Sequence, residues 1–152
     1  MVELYSDTYF MQQAFREAQE AYARDEVPVG AVLVSQDQII ARGHNSVELL
    51  NDVTAHAEMI AITSGMQHLG SKYLPECTLY VTLEPCPMCA GALKWSQIGR
   101  VVYGASDDKG GFMRFGKAML HPSTQLEFGV MYDECSALLS DFFAEKRRIS
   151  TH

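Results

Sequence analysis

Two short sequence patterns contain one histidine and two cysteines that could bind the same metal ion. His56 and Glu58 form a His-x-Glu pattern, and Pro85 precedes the pair Cys86 and Cys89 in a Pro-Cys-x-x-Cys pattern. One imidazole and two thiolates are a common set of zinc ligands, and the sequence offers no obvious fourth cysteine or histidine beside them. A water molecule could complete the tetrahedron, which is typical of a catalytic rather than a structural site. The patterns therefore predict a catalytic zinc centre on His56, Cys86 and Cys89.

Helix and strand signals alternate along the rest of the chain. Apolar residues at helical spacing predict helices, and apolar β-branched runs predict strands. We expect helices over residues 6–24, 55–67, 88–96 and 133–148, and strands over residues 31–35, 38–41, 78–82, 100–104 and 125–130. Residues 107–122 are glycine-rich and are expected to be irregular. This order predicts one domain over residues 1–152, with α/β class and a three-layer α/β/α sandwich around a central mixed five-stranded sheet.

The predicted helices place the zinc-ligand candidates at helix starts. Cys86 and Cys89 fall at the beginning of one helix and His56 near the beginning of another, where the helix dipole favours thiolates and metal binding. Residues two apart do not share a face of a regular helix, so His56 and Glu58 can converge only if the metal lies off the first turn.

The cysteine pair could also be a redox dithiol or part of a structural zinc knuckle. Neither needs an acid beside the histidine, and a redox dithiol usually follows a strand in a thioredoxin-like order. An isolated His-x-Glu pattern is weak evidence, because exposed glutamates are usually just solvated. Combined with Pro-Cys-x-x-Cys it becomes the signature of zinc nucleobase deaminases, in which the glutamate, here Glu58, is the general acid and base.

Composition limits the cellular setting and the partners. No leader pattern and no run of eighteen apolar residues is present, so we expect a soluble cytoplasmic protein without a membrane partner. Four cysteines are too few for a disulfide scaffold, and Cys77 and Cys135 are expected in the core. The net charge of -7 argues against bulk attraction to nucleic acid. The acidic excess precedes Lys109, so a polyanion should prefer the C-terminal part.

The chain also resembles a known family over nearly its whole length. It is similar to the bacterial tRNA-specific adenosine deaminases of the cytidine deaminase superfamily. The matching stretches are Glu26–Val32, Asn45, Thr54–Glu58, Thr82–Ala92, Val102–Ala105 and Glu134–Leu139. The resemblance implies a cytidine deaminase-like fold. It further implies a cytoplasmic homodimer with one Zn²⁺ per subunit that converts the wobble adenosine of an arginine tRNA anticodon loop to inosine, with no DNA substrate.

The resemblance also implies roles for individual residues. Zinc would activate a water molecule, and Glu58 would shuttle its proton to the ring and to the departing amine. Asn45 would hydrogen-bond the flipped nucleotide, and Asp107 would contact a neighbouring ribose or base. On the last helix, substrate-binding roles fall to Phe143, Arg147 and Arg148. Structural roles compete with these assignments: Asn45 could serve a turn, Asp107 could cap one, and Phe143 could belong to the core.

The chain departs from the family in places, and rival functions stay open. It stops soon after Lys146–Arg148, whereas many relatives carry a longer basic tail. The 109–117 segment interleaves phenylalanines with basic residues, which suits either RNA stacking or a dimer contact. The rivals are a deaminase of free guanine, cytosine or a nucleoside, and a noncatalytic zinc protein. Thr82 and Leu83 stand where guanine deaminases tend to carry Ser-Cys, which favours tRNA, and an intact Glu58 argues against a noncatalytic role.

Overall fold

The computed structural model describes residues 1–150 and contains one mixed five-stranded sheet. The strands are β1 (Gly30–Ser35), β2 (Gln38–His44), β3 (Cys77–Leu83), β4 (Arg100–Ala105) and β5 (Gln125–Phe128). They lie in the order β2-β1-β3-β4-β5. Strand β1 is antiparallel to both β2 and β3, whereas β3, β4 and β5 run parallel to one another. The predicted mixed sheet of five strands is confirmed.

A tight turn joins β1 to β2, as the polar pair between the two apolar runs predicted. Gln36 and Asp37 have φ angles of 51° and 60°. Positive φ at both central residues is typical of a two-residue hairpin turn, because its twist matches that of the strands it connects. Strand β2 continues to His44, three residues beyond the predicted end at Ala41. This extension brings the chain to Asn45 at the edge of the candidate site.

Within the described residues 1–150, five α-helices accompany the sheet. They are α1 (Asp7–Ala23), α2 (Val47–Leu50), α3 (Ala57–Leu69), α4 (Pro87–Ser96) and α5 (Tyr132–Ser150). Ser6 caps α1, because its hydroxyl oxygen accepts a hydrogen bond from the Tyr9 amide at 3.1 Å. Helix α2 is a single turn, too short to show apolar periodicity, and was not predicted from the sequence. The irregular segment contains two short 3-10 helices, Phe112–Phe115 and Lys117–Met119.

One face of the sheet packs against α1. Val32 and Val34 of β1 join Phe10 and Met11 of α1 in an apolar cluster, and all four side chains are buried. Helix α5 lies beside α1, where the rings of Tyr22 and Phe142 meet edge to face at 5.5 Å. Alternate residues of a strand point to opposite faces, so the intervening residues of β1 face the other layer.

The opposite face packs against α3 and α4. Ala31 and Leu33 of β1 contact a second apolar cluster that contains Ala61 of α3 and Leu93 of α4, and these four residues have no exposed surface. Helices on both faces of one sheet form the predicted three layers. Cys77 and Cys135 are buried at 2% exposure and carry no disulfide. Within residues 1–150, no helix is long and apolar enough to span a membrane.

The parallel strands decide where the site lies. Strand β3 ends at Leu83 and leads through Glu84 and Pro85 to Cys86, while the neighbouring strand β4 ends at Ala105 and leads to Asp107. In sheets of this kind, the crevice beyond the carboxyl ends of parallel strands is the usual place for a ligand. The cysteine pair and the glycine-rich segment therefore meet at the same edge.

Candidate active site

Two helix N-termini meet at this edge and bring the predicted zinc ligands together. His56 is the residue before α3 and has an extended backbone, with φ of -77° and ψ of 153°. Cys86 has the same position before α4, with φ of -73° and ψ of 167°, and Pro87 begins that helix. Cys89 follows within the first turn of α4. Free amide groups and the helix dipole at both N-termini favour negative charge on the thiols.

The three ligand atoms are spaced as a tetrahedral metal requires. The His56 Nδ1 atom lies 3.6 Å from the Cys86 Sγ atom and 3.5 Å from the Cys89 Sγ atom. Zn–N bonds of about 2.05 Å and Zn–S bonds of about 2.3 Å, held at the tetrahedral angle, separate nitrogen from sulfur by about 3.6 Å. All three atoms lie within 4.8 Å of one another. The side chains present therefore fit a zinc ion.

The electrostatics of the cluster favour a thiolate. Hydrogen bonding from Cys89 lowers the pKa of Cys86 to about 4, and His56 contributes in the same direction. The pKa of Cys89 is raised in turn, because it serves as the donor to Cys86. The pKa of His56 is also raised, chiefly by its contact with Cys86. Such a cluster holds negative charge that a divalent cation would compensate.

Glu58 supplies an acid next to this cluster. It lies in the first turn of α3, and only 4% of its surface is exposed. Burial raises the pKa of its carboxyl group to about 7. A carboxyl group with a pKa near neutrality can both accept and donate a proton at physiological pH. His56 immediately precedes α3 and Glu58 lies in its first turn, and both side chains line the same pocket.

A pocket of about 1040 Å³ opens onto this cluster. His56, Glu58 and Cys86 contribute to its lining, as do the predicted substrate-binding residues Asn45 and Asp107. This volume is at the upper end of the range for small-molecule sites, and it is large enough for one nucleotide. Cys89 lies behind the pocket surface with no exposed area.

Asn45 and Asp107 also make structural hydrogen bonds. The Asn45 Oδ1 atom accepts a hydrogen bond from the Ala57 amide at 2.8 Å, at the start of α3. The Asp107 Oδ1 atom accepts one from the Gly110 amide at 2.9 Å, which closes a turn. Both side chains are therefore held in place by the backbone while they line the pocket.

The predicted contacts on α5 divide into two groups. Phe143 lines the pocket and is 43% exposed, so it is not a core residue, and the neighbouring Phe142 is buried instead. Arg147 and Arg148 are exposed and are not among the lining residues of the described chain. Lys146, which was not selected from the sequence, does line the pocket, and it forms an ion pair with Asp25. Helical spacing of three to four residues puts Lys146 on the face of Phe142 and Phe143.

Two buried acids in the pocket lining were also missed. Glu26 is 3% exposed, and its carboxylate oxygens accept hydrogen bonds from the Glu48 and Leu49 amides at 3.0 and 2.8 Å. It thereby holds the start of α2, which forms one wall of the pocket. Glu84 is 5% exposed and also belongs to the pocket lining. For Glu84, an acidic residue between Leu83 and Pro85 was the available sequence signal, since a buried charge requires partners. Glu26 directly follows the charged Arg24 and Asp25 and carried no such signal.

Known proteins resemble this chain in sequence and in fold. Residues 4–105 match the family model of the cytidine and deoxycytidylate deaminase zinc-binding region. A tRNA-specific adenosine deaminase of Agrobacterium fabrum is 46% identical over 145 residues, which cover 92% of this chain and 95% of that protein. A solved structure of a tRNA:A34 deaminase, from work on A-to-I editing at the wobble position, has a TM-score of 0.82 and 44% identity over 87% of this chain and 99% of its own.

A structure of a guanine deaminase from Nitrosomonas europaea shares the fold at lower identity. Its TM-score is 0.80 and its sequence is 25% identical, over 91% of this chain and 85% of that one. The fold is thus common to deaminases of different substrates, whereas the two tRNA deaminases combine 44–46% identity with coverage of 87% or more of both chains. The chain belongs to the zinc-dependent cytidine and deoxycytidylate deaminase family, in the group of the tRNA-specific adenosine deaminases.

Proposed function

We propose that this protein hydrolyses the wobble adenosine of a tRNA anticodon loop to inosine. The observation that carries the chemistry is a buried carboxyl group, Glu58, beside a His-Cys-Cys cluster at the bottom of a pocket. The choice of tRNA rests on the 46% identity to a tRNA-specific adenosine deaminase over nearly the full length of both chains.

The metal of this site is proposed to be one Zn²⁺ per subunit, held by His56, Cys86 and Cys89. When bound, zinc would act as a Lewis acid and lower the pKa of water to near neutrality. A purely structural zinc site has four protein ligands. That role is disfavoured here, because the cluster among the described residues supplies three ligand atoms and opens to a pocket. A redox dithiol is disfavoured too, since it has no use for the buried acid.

Glu58 is proposed to manage the protons of the reaction. Its carboxylate would accept a proton from the attacking water and deliver it to the purine ring nitrogen as the oxygen bonds to C6. The remaining proton of that oxygen would then pass through Glu58 to the exocyclic amine, so that the C–N bond breaks and ammonia leaves, with inosine as the other product. Its burial suits this role, because a pKa of about 7 allows the group to cycle between both protonation states.

Substrate contacts are proposed around the pocket. The amide of Asn45 would bond the flipped nucleotide, Asp107 would contact a neighbouring sugar or base, and Phe143 would stack at the mouth. Arg147 and Arg148, farther along α5, would meet the anticodon loop and its phosphates. A base reaches the pocket most easily from a single-stranded loop, since it has least stacking to lose there.

The remaining features of the proposal concern assembly and setting. We propose one deaminase domain that forms a homodimer. Its support is the exposure of Met88 and Trp95 on α4, at 39% and 83%, since large exposed apolar side chains favour a protein contact.

The specific substrate proposed is an arginine tRNA, on the resemblance of the flanking stretches, and DNA is not expected to react. Four unpaired cysteines suit the reducing cytoplasm.

The substrate test compares RNA with free bases. Purified protein is incubated with total tRNA and, separately, with guanine, cytosine, adenosine and cytidine, and the products are measured by mass spectrometry. Inosine in tRNA alone supports the proposal. Conversion of only a free base or nucleoside would refute the tRNA assignment and favour the alternative, a small-molecule deaminase, for which the similarity to a guanine deaminase structure is the reason to test guanine.

The role of the acid has its own test. Glu58→Ala is expected to keep bound zinc and to lose turnover by about two to four orders of magnitude, the usual contribution of a general acid and base. Zinc content by elemental analysis separates this result from loss of the metal, and Glu76→Ala at an exposed position is the control. Full activity of Glu58→Ala would exclude the proposed proton transfer.

A further inference from the structure

We propose that Glu84 is a positioning residue that holds the segment 107–113, called here the 107–113 loop, against the pocket before RNA binds. The inference concerns a residue outside the zinc ligands and the acid. Its consequence for RNA rests on the proposed function, whereas its consequence for the loop does not.

The contacts of Glu84 reach both ends of this loop. Its Oε1 atom accepts a hydrogen bond from the Asp107 amide at 3.1 Å, and its Oε2 atom accepts one from the Met113 amide at 3.0 Å. Because only 5% of its surface is exposed, solvation by water cannot replace these donors. Bonds between amides and a carboxylate are stronger than those between neutral groups. One side chain therefore supports both ends of the loop, whose turn is also closed by the Gly111 amide donating to the Asp107 carbonyl oxygen at 2.8 Å.

The backbone next to Glu84 adds to this attachment. The Phe112 amide donates a hydrogen bond to the Pro85 carbonyl oxygen at 2.9 Å. Gly111 passes so close that a Cβ atom at that position would collide with the Glu84 carboxylate. A side chain at position 111 would thus push the loop off its support. The loop lies directly on the segment that leads into Cys86, so the metal cluster and the loop share one support.

This arrangement matters because the loop supplies part of the pocket wall. Asp107 and Gly110 line the pocket, and the Asp107 carboxylate is itself turned back to the Gly110 amide. Ordering a loop when a ligand binds costs conformational entropy and weakens binding. A loop that is already ordered avoids this entropy cost, so the ligand binds more tightly. Although Glu84 belongs to the pocket lining, both of its carboxylate oxygens accept hydrogen bonds from loop amides, so it would act on affinity through the loop.

Charge alone predicts the opposite effect, which makes the proposal sharply testable. Removing a negative charge near a site for RNA should strengthen binding, since phosphates are repelled less. Glu76→Gln removes the same charge at an exposed position just before β3, at the other end of the strand from Glu84. Glu84→Gln keeps the shape of the side chain but turns an NH₂ group toward one of the two amide donors. The proposal predicts weaker RNA binding for Glu84→Gln only.

The first measurement is hydrogen exchange of the zinc-loaded protein without RNA. In Glu84→Gln, peptides that contain the Asp107 and Met113 amides should exchange about tenfold faster or more, the equivalent of one lost charge-assisted hydrogen bond. Peptides of α1 and β1, zinc content and the exchange of Glu76→Gln should match wild type. Unchanged exchange in the 107–113 loop would overturn the proposal.

The second measurement separates binding from chemistry. With an anticodon stem-loop RNA as substrate, Glu84→Gln should raise KM about tenfold and leave kcat within about twofold, since the loop acts on binding and not on the proton transfers. A fall in kcat with unchanged KM would assign Glu84 to the chemistry and refute a positioning role. Tighter RNA binding by Glu84→Gln, which the loss of a nearby negative charge alone would give, would refute it as well.

A second variant guards against misfolding of the first. Gly111→Ala disturbs the same contact from the loop side and leaves the charge of Glu84 in place. It should accelerate exchange in the same peptides, and normal exchange there would contradict the proposal. If wild type converts no tRNA, the proposed function fails, yet the exchange experiments still decide whether Glu84 holds the loop.

Discussion

Replacing Gly30 with alanine is expected to destabilise the protein strongly, because α1 lies directly against its Cα atom. A methyl group built at Gly30 would lie 2.7 Å from the Glu17 Cβ atom, and closer still to the Ala14 carbonyl oxygen and the Ala18 amide nitrogen. Favourable contacts between carbon atoms are about 3.5–4.0 Å long. Two of the three obstructing atoms belong to the helix backbone and cannot rotate away, so α1 would have to move by about 1 Å.

The magnitude follows from what this movement disturbs. Helix α1 contributes Phe10 and Met11 to the cluster on its face of the sheet, and both are buried. Overpacking of a well-packed core costs about 1–3 kcal/mol, and a backbone obstruction places Gly30→Ala at about 3 kcal/mol. For a domain of this size each kcal/mol shifts the unfolding midpoint by about 2–4 °C, so we expect a fall of about 6–12 °C.

The assay is thermal unfolding of purified protein with its metal, followed by circular dichroism and repeated in urea. Gly91→Ala is the matched control, because a Cβ atom at this position of α4 meets no atom within 4 Å. Alanine is a better helix former than glycine, so Gly91→Ala should stabilise the protein by about 0.5–1 kcal/mol. An unchanged midpoint for Gly30→Ala would refute the inference that α1 packs on this glycine.

Three further predictions concern the metal, acid stability and RNA binding. Chelation of zinc, or Cys86→Ser, should lower the unfolding midpoint, and added zinc should restore only the chelated wild type, because metal binding is coupled to folding. Arg100 lowers the pKa of Asp7 by hydrogen bonding. The stabilising contribution of this carboxylate is therefore present above about pH 4 and lost in acid, so the stability gap between wild type and Asp7→Asn should be wide at neutral pH and close as urea unfolding is moved to about pH 3. Asp25→Asn releases Lys146 from its ion pair at the pocket, and RNA binding in a salt titration should tighten by up to about fivefold. Unchanged binding would show that the pair does not compete with RNA.

Local signals in the sequence predicted most elements of the fold correctly. Apolar spacing located four of the helices, and the polar pair Gln36 and Asp37 located the hairpin turn, because these features depend on neighbouring residues. The single-turn helix α2 escaped, since four residues cannot display a helical period. Its amides are held by Glu26, a partner 22 residues earlier in the chain. Such a contact has no local signature.

The candidate site also contains residues that local sequence signals identified and residues that they did not. His56, Cys86 and Cys89 were selected as candidates from residue type and spacing, and Glu58 from its place in the combined His-x-Glu and Pro-Cys-x-x-Cys signature. Lys146 was passed over for the two arginines after it, which the family resemblance had selected, since a resemblance in sequence does not reveal which face of a helix meets the pocket. The helical phase relative to Phe142 and Phe143 does, once the packing of α5 is known.

The sequence by itself determined the alternation of helices and strands and the choice of candidate ligands and candidate acid, because each follows from residue types at short spacing. Only the tertiary structure decided that two helix N-termini meet at the ends of parallel strands, and that the buried carboxylate of Glu84 spans the 107–113 loop. The amides it binds lie 23 and 29 residues away in the chain. Contacts at that separation depend on how the layers pack, and the packing is set by the whole core at once.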